Sequence, residues 1–207
     1  MLEQWLGADQ TSIQQLVTDG VSPRRRMDTR NGGAGPSPVA MSESDANLLR
    51  RLADDSALRE LIHAYAFGLD HQDWELWRSI FLDEVVIDMT DVEPEPLPRL
   101  LPVEKHVRAV ERMFARFDAT QHFIGSHRYA IDGDHAVITA HMRAEHWLTS
   151  DRGGDKYTMF GTYIDEAVRT PDGWKLAKVK LSLIRQEGNR DIMRMASRRP
   201  HPDQRSN

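Results

Sequence analysis

The residues best suited to chemistry in this sequence are its nine histidines and the carboxylates near them. The 207 residues include no cysteine, which excludes a thiol nucleophile, a disulfide framework and any metal centre with cysteine ligands. The sequence also contains no G-x-S-x-G elbow, no G-x-G-x-x-G turn and no P-loop. Proton transfer by imidazole and carboxylate is therefore the chemistry that these residue types favour.

Four of the histidines lie on two neighbouring predicted strands: His122, His127, His141 and His146. Side chains on a regular strand alternate between two faces, so residues five apart point to opposite sides of the sheet. His122 and His127 therefore cannot converge on one pocket, and neither can His141 and His146. Because a metal site needs several ligands on one side, the sequence predicts no metal site.

His146 is expected to point into the core, because it shares its face with a row of apolar residues. These are Ile138, Ala140, Met142, Ala144 and Leu148. The alternative role for such a histidine is a structural one, in which the buried ring bonds to a backbone carbonyl. The pattern does not decide the face of His122, since apolar and polar residues mix on both faces of its strand.

The composition is that of a globular protein, with 40% hydrophobic and 29% charged residues. No apolar run approaches the length of about 18 residues that spans a bilayer, and no secretory signal is recognisable. The net charge of −5 gives no electrostatic reason to bind nucleic acid. We expect a cytoplasmic protein that binds neither membranes nor nucleic acids.

The chain divides by composition into an extension, a core and a tail. Residues 1–42 include a Gly-, Pro- and Ser-rich stretch over 31–38 that is typical of a linker, and the first 40 residues are expected to be dispensable. Residues 43–186 carry the periodic apolar patterns of one domain. Residues 187–207 have no such period and are predicted to form a flexible tail.

A long helix is predicted at the start of the core. Ser42 or Ser44 can cap it, and apolar residues recur at spacings of three and four up to residues 68–70. Asp55 or Ser56 could cap this helix a second time part-way along.

Shorter elements follow the long helix. Asp73 is the expected cap of a short helix over 74–81, and the β-branched residues 85–89 predict a strand. The proline-rich residues 93–98 predict a loop, because each proline removes a donor and restricts the residue before it. Pro102 then suits the first turn of a further amphipathic helix.

Four long strands are predicted in the second half of the core. They cover residues 121–131, 135–149, 156–170 and 174–185, and turns rich in Gly and Asp join them. Consecutive strands with such turns favour an antiparallel meander. Helices that precede an antiparallel sheet indicate an α+β fold.

Five short motifs resemble those of one known superfamily. They are Leu-Asp-His-Gln-Asp-Trp at 69–74, Thr-Gln-His-Phe-Ile-Gly at 120–125, Asp-Gly-Asp-His-Ala at 132–136, Gly-Thr-Tyr at 161–163 and Gly-Trp-Lys at 173–175. Over about residues 44–186 the chain resembles the SnoaL-like, scytalone dehydratase-like branch of the nuclear transport factor 2-like superfamily. This resemblance implies a cone-shaped, curved antiparallel sheet wrapped around N-terminal helices, with an apolar cavity at its open end.

The resemblance also implies an acid–base site. In the dehydratases and the dehydrochlorinase of this superfamily, an aspartate at the end of the first helix pairs with a histidine on the first long strand. The matching residues here are Asp70 and His122. His146 matches the second histidine of scytalone dehydratases, and Tyr65 matches a tyrosine of the bile-acid dehydratase branch.

The expected substrate-binding residues follow from the same resemblance: Met89, Phe114, Ile124, Met142, Tyr163 and Arg185. Val179 stands where the dehydrochlorinase has an arginine; Arg185, six residues further on and so on the same face, could substitute at the cavity mouth. Leu69 and Met89 stand where scytalone dehydratases have tyrosines, so scytalone itself is not the expected substrate.

The function that these expectations imply is that of a cofactor-independent lyase or isomerase of the dehydratase type. Its substrate would be a small hydrophobic molecule, carbonyl-containing or polycyclic, with Asp70 orienting His122 as the base. His146 or Tyr65 would hold or protonate the substrate oxygen. The alternative is a non-catalytic ligand-binding or assembly module, such as a β-type subunit of a ring-hydroxylating dioxygenase. The resemblance also implies a homo-oligomer, a dimer or trimer, formed through the outer face of the sheet.

Overall fold

The computed structural model describes residues 41–92 and 98–200 of the chain. The predicted extension over 1–40 and nearly all of the predicted loop over 93–98 lie outside the described residues. Every element below belongs to the unit Ser42–Asn207. Within the described residues, none of the helices combines the length and the apolar character that a bilayer span requires.

The first helix, α1, spans Glu43–His71 without a break. The Ser42 side chain caps it by accepting a hydrogen bond from the backbone N–H of Asp45 (3.1 Å). The expected second cap at Asp55 or Ser56 is wrong, because the helix continues through this stretch. The buried residues of α1 recur three and four apart and form its inner face: Leu58, Leu61, Ile62, Tyr65, Gly68 and Leu69.

Four shorter elements lead into the main sheet. They are α2 (Trp74–Ser79), β1 (Phe81–Asp88), β2 (Arg99–Pro102) and α3 (Val103–Phe114). The side chain of Asp73 caps α2 by accepting from the backbone N–H of Leu76 (3.0 Å), as expected. Strand β2 has no counterpart in the sequence-based expectations, because its four residues carry no alternating apolar pattern.

The long strands form the antiparallel meander that the turns predict. These strands are β3 (Ala119–Asp132), β4 (His135–Trp147), β5 (Lys156–Thr170) and β6 (Gly173–Gly188). The complete sheet has six strands in the order β2-β1-β6-β5-β4-β3; it is curved and unclosed. Its β1 pairs in parallel with β6, so the sheet is mixed. The predicted α+β class is confirmed.

A cluster of polar side chains links α1 to strands β5 and β6. Asp54 accepts two hydrogen bonds from the guanidinium of Arg169 (2.7 and 2.9 Å) and one from the indole N–H of Trp174 (3.1 Å). Arg169 also donates to Asp134 (3.0 Å), and its guanidinium lies 4.3 Å from the centre of the Trp174 ring. The hydrogen bonds from Arg169 outweigh burial and lower the pKa of Asp54.

The segment after β6 folds instead of forming the expected flexible tail. The Asn189 side chain donates to two backbone carbonyls of the turn between β4 and β5 (2.7 and 2.8 Å). A final helix, α4 (Asp191–Arg198), follows and buries Ile192 and Ala196 completely. Met193 and Met195 also pack against the core, so residues up to 200 do not form the expected tail.

Candidate active site

The centre of the site is a hydrogen-bonded pair formed by Asp70 and His122. Asp70 lies in the last turn of α1, and its Oδ1 is 2.8 Å from Nδ1 of His122 on β3. Its other oxygen, Oδ2, accepts from the backbone N–H of His122 (2.6 Å), and Thr120 Oγ1 donates to Oδ1 (3.0 Å). Three hydrogen bonds therefore fix the carboxylate to one short stretch of β3.

These bonds also set the charge of the carboxyl group. Burial disfavours the ionised form of Asp70, but the bonds from His122 and Thr120 outweigh burial and hold the pKa of the carboxyl below its usual value. An ionised carboxylate accepts the Nδ1 proton, so the neutral imidazole carries its hydrogen on Nδ1. Nε2 on the opposite edge of the ring then carries a lone pair that can accept a proton.

A second imidazole lies beside the pair. The rings of His122 and His146 have their centres 5.7 Å apart and cross at 84°. His146 on β4 is only 1% exposed, and its Nδ1 has no hydrogen-bond partner among the described residues. This nitrogen therefore does not make the bond to a backbone carbonyl that the alternative, structural role requires. Burial, aided by the nearby His122, lowers the pKa of His146 to about 3, so this ring is neutral at pH 7.

Two buried phenols lie near the imidazoles. Tyr65 on α1 and Tyr163 on β5 have ring centres 5.4 Å apart. Burial and the neighbouring Asp165 raise the pKa of Tyr65 well above its ordinary value; burial and Tyr65 do the same for Tyr163. Both phenols therefore keep their protons and can act as hydrogen-bond donors.

These groups surround one cavity of about 420 Å³. Four of its polar wall residues are expected site residues: Tyr65, His122, His146 and Tyr163. Met89 and Phe114 also line it, as expected, and the Phe114 ring stacks on His122 with ring centres 5.9 Å apart. The further lining residues are mostly apolar: Leu69, Trp77, Ile87, Val92, Arg99, Leu101, Lys105, His106, Ala109, Val110, Met113, Met159, Leu181 and Met193.

Three of the expected substrate-binding residues do not line this cavity. Ile124 and Met142 pair across β3 and β4 and pack in the hydrophobic core. Arg185 has a side chain that is 71% exposed and bonds to Glu187 (2.7 Å). The register between β5 and β6 shifts beside Gly161. This shift reverses the alternation of side chains between the two faces of β6, so Arg185 points away from the inner face.

The expectation that His122 and His127 lie on opposite faces of their strand is wrong, because β3 contains a second bulge. The register of β3 shifts after Gly125, and Ser126 has a left-handed backbone with φ of 55°. Both histidines therefore lie on the inner face. His127 packs against the ring of His63 on α1 (5.9 Å between ring centres) and does not line the cavity. Among the described residues, no group of three or more His, Asp or Glu side chains could hold a metal ion.

Of the α3 residues that line the cavity, sequence reasoning identified only Phe114. His106 was not among the expected site residues, yet it lines the cavity, and burial lowers its pKa to about 4. Lys105 and Met113 line the same wall. The helical spacing of His106, Val110 and Met113, at three and four residues, is the signal that could have identified this face.

Comparison with known proteins identifies the family. A family model for a SnoaL-like domain matches residues 50–180. The chain belongs to the SnoaL-like family. This SnoaL-like chain is 38% identical to the Kfla4162 protein of Kribbella flavida; the match has a TM-score of 0.66 and covers 70% of this chain and 99% of that one. No curated protein matches the sequence.

More distant solved structures share the SnoaL-like fold. A candidate scytalone dehydratase of Novosphingobium aromaticivorans is 18% identical, with a TM-score of 0.58 over 70% of this chain and 91% of that one. The hexachlorocyclohexane dehydrochlorinase LinA-type3 of Novosphingobium barchaimii is 16% identical, with a TM-score of 0.56 over 69% and 94% of the two chains. At such identities the likeness shows the fold alone. The predicted placement in the nuclear transport factor 2-like superfamily is confirmed.

Proposed function

We propose that this SnoaL-like protein is a cofactor-independent lyase or isomerase of the dehydratase type. Its substrate is a hydrophobic small molecule, carbonyl-containing or polycyclic. The observation that carries the proposal is the 2.8 Å bond from His122 to Asp70, combined with a His122 ring that lines a 420 Å³ cavity. A carboxylate behind the imidazole leaves Nε2 as the proton acceptor and favours the imidazolium that forms.

The reaction begins with removal of a carbon-bound proton. Nε2 of His122 takes a proton from the carbon next to a carbonyl group, and the electron pair of the broken C–H bond forms an enolate. The phenol of Tyr65 or the neutral ring of His146 donates a hydrogen bond to the enolate oxygen. Because His146 is neutral at pH 7, it serves as a hydrogen-bonding group and not as a proton donor.

The second step completes either an elimination or an isomerisation. In an elimination, the enolate expels a leaving group from the β-carbon, and a departing hydroxide takes the proton from the His122 imidazolium and leaves as water. In an isomerisation, the imidazolium returns its proton to another carbon. Either route restores the neutral imidazole without an external oxidant, reductant or cofactor.

Two relatives of the fold support elimination chemistry as the first class to test. One is described as a dehydrochlorinase and the other as a candidate dehydratase, and both names denote loss of a small group from adjacent carbons. The homo-oligomer and the cytoplasmic location remain predictions from the sequence.

A substrate panel tests the proposal. Apolar β-hydroxy ketones and halogenated ring compounds are incubated with the wild type, with His122→Ala, and with His141→Ala, a control histidine on the exposed face of β4. We expect the wild type and the control to convert the same compound and His122→Ala to lose about 10²- to 10⁴-fold in rate. Equal turnover by His122→Ala would remove His122 from the mechanism. Binding without turnover by the wild type would favour the ligand-binding alternative.

A further inference from the structure

One face of α3 forms a continuous wall of the cavity. The lining residues of this helix are Lys105, His106, Ala109, Val110, Met113 and Phe114. Their spacing repeats with the helical period, so they lie in one stripe along the helix axis. The cavity therefore extends along α3 from its first turn to its last residue.

The wall is exposed at its first residue and buried at its last. Lys105 and Ala109 are exposed, His106, Val110 and Met113 are half-buried, and Phe114 is buried. Phe114 stacks on His122, whose side chain is only 5% exposed. The N-terminal end of α3 is thus the open end of the cavity, and the C-terminal end is the closed end that holds the imidazoles.

Charge is distributed unevenly between these ends. Among the described lining residues, the two with a permanent charge are Arg99 and Lys105, and both are exposed cations. No carboxylate is found among the described lining residues, since Asp70 lies behind the His122 ring. Burial lowers the pKa of His106 to about 4, so this ring adds no charge at pH 7.

The end of the helix adds to the positive potential at this opening. The first backbone N–H groups of an α-helix have no partner within the helix, and the cap residue of α3, Pro102, supplies no side-chain hydrogen bond to them. A cleft wall that carries one sign of charge raises the local concentration of ligands of the other sign. The open end therefore favours an anionic group.

From this arrangement we propose that the substrate is an elongated apolar acid. Its anionic group, a carboxylate or an anion of similar size, binds Lys105 at the open end, and its reacting carbon lies at His122. The substrate's apolar body crosses the middle of the cavity, where Met89, Met113 and Met159 can adapt to its shape. The identity of the reacting end rests on the proposed function; the binding of the anion does not.

The helix gives the length of this acid. Lys105 and Phe114 are nine residues apart in α3, which corresponds to about 13 Å along the axis at a rise of 1.5 Å per residue. The flexible stem of the lysine can shorten this distance. A carboxylate on a two-ring apolar body has the required length, whereas a single-ring acid does not.

Binding of a matched pair of probes tests the anion site. Biphenyl-4-carboxylate and biphenyl-4-carboxamide have the same shape and differ in charge, and calorimetric titration gives both dissociation constants. The variants are Lys105→Met and, as a control, Arg108→Met, which replaces an exposed cation of the same helix that does not line the cavity.

We expect the wild type and the control to bind the carboxylate about two- to fivefold more tightly than the carboxamide, which is the usual strength of an exposed ion pair. Lys105→Met should abolish this preference and leave carboxamide binding unchanged, and about 0.5 M salt should weaken it in the wild type. Equal binding of the two probes by the wild type, no binding of either, or a preference that survives in Lys105→Met would overturn the proposal.

Nuclear magnetic resonance of histidine-labelled protein tests the orientation. Biphenyl-4-carboxylate should shift the ring signals of His122, because its distal ring reaches the closed end, and benzoate should not. Absence of the shift with the longer acid would refute the placement along α3. His122→Ala should retain the preference for the carboxylate, so the anion site can be confirmed even if the proposed catalysis fails.

Discussion

Replacing Asp70 by asparagine removes one negative charge and preserves the size of the side chain. When His122 accepts a proton, the imidazolium attracts a carboxylate oxygen 2.8 Å from Nδ1. With an effective dielectric constant of about 20, this attraction is about 6 kcal/mol. The asparagine oxygen can still accept the Nδ1–H bond, while its NH2 group replaces the oxygen that accepts from the His122 backbone N–H. We expect about half of the attraction, roughly 3 kcal/mol, to be lost. Such a loss lowers kcat by roughly 100- to 200-fold.

The assay is turnover of whichever panel compound the wild type converts. Thr120→Val is the matched control, because it removes one hydrogen bond to Oδ1 and leaves the negative charge in place. Its expected cost is about 1 kcal/mol, or roughly fivefold in kcat. If Asp70→Asn kept its rate within about threefold of the wild type, the carboxylate would not stabilise the imidazolium and the reasoning would be refuted.

The stability of the same variant gives an independent check. In the folded protein, burial is outweighed by the hydrogen bonds from His122 and Thr120, which lower the pKa of Asp70 below its ordinary value of about 3.9. The ionised carboxylate therefore stabilises the fold above that value, and its contribution is lost as the pH falls through the folded pKa. Asp70→Asn should consequently lower the Tm at pH 7 and have a smaller effect near pH 3. An equal effect at both pH values would contradict the shift.

Further predictions concern stability and the second imidazole. Asp54→Asn should cost about 2 to 3 kcal/mol of unfolding free energy in urea titration, because it removes the carboxylate that accepts both bidentate bonds from Arg169 and leaves Asp134 as the remaining carboxylate partner of that guanidinium. Gly68→Ala should cost about 1 to 3 kcal/mol in the same assay, since the new Cβ would lie 2.8 Å from Cβ of Trp77. His146→Gln should lower kcat but leave the shape of the pH–rate profile between about pH 5 and pH 8 unchanged, because His146 is already neutral there. Unchanged stability of Asp54→Asn or of Gly68→Ala would contradict the corresponding contact. Loss of an inflection from the pH–rate profile of His146→Gln would contradict the neutral state of His146.

The parts of the fold that depend on local signals could be predicted from the sequence. Ser42 and Asp73 cap the helices that they were expected to cap, and the Gly- and Asp-rich turns join the four strands of the meander. Caps and turns act over a few residues, so neighbouring sequence contains their signal. The parallel pairing of β1 with β6 has no local signal, because these strands are far apart in the chain.

The errors in the expected site have one physical cause. Alternation of faces holds only while a strand keeps its register, and bulges interrupt β3 and β6. His127 and Arg185 lie beyond these bulges, so His127 shares the face of His122 and Arg185 points away from the inner face, both contrary to the regular alternation. Gly125 and Gly161 lie beside the two register shifts. A glycine inside a strand often marks a bulge, so these residues were the sequence signal for both shifts.

The pairing of Asp70 with His122 came from the resemblance and not from periodicity. The two residues are 52 positions apart, and no local rule brings the end of a helix to one residue of a strand. The docking of α4 could not be anticipated for a similar reason. Its apolar residues, Ile192, Met193, Met195 and Ala196, cover little more than one helical turn, which is too short a stretch to predict a docked helix.

The central claim is that His122 removes a carbon-bound proton inside the cavity. Its most direct test uses an analogue of a converted substrate that lacks the leaving group, so that the enolate can only be reprotonated, and measures by mass spectrometry in heavy water the incorporation of solvent deuterium at the carbon next to the carbonyl. Rapid incorporation with the wild type and with His141→Ala, none with His122→Ala and slow incorporation with Asp70→Asn are the predicted results. Incorporation by His122→Ala at the wild-type rate would contradict the account.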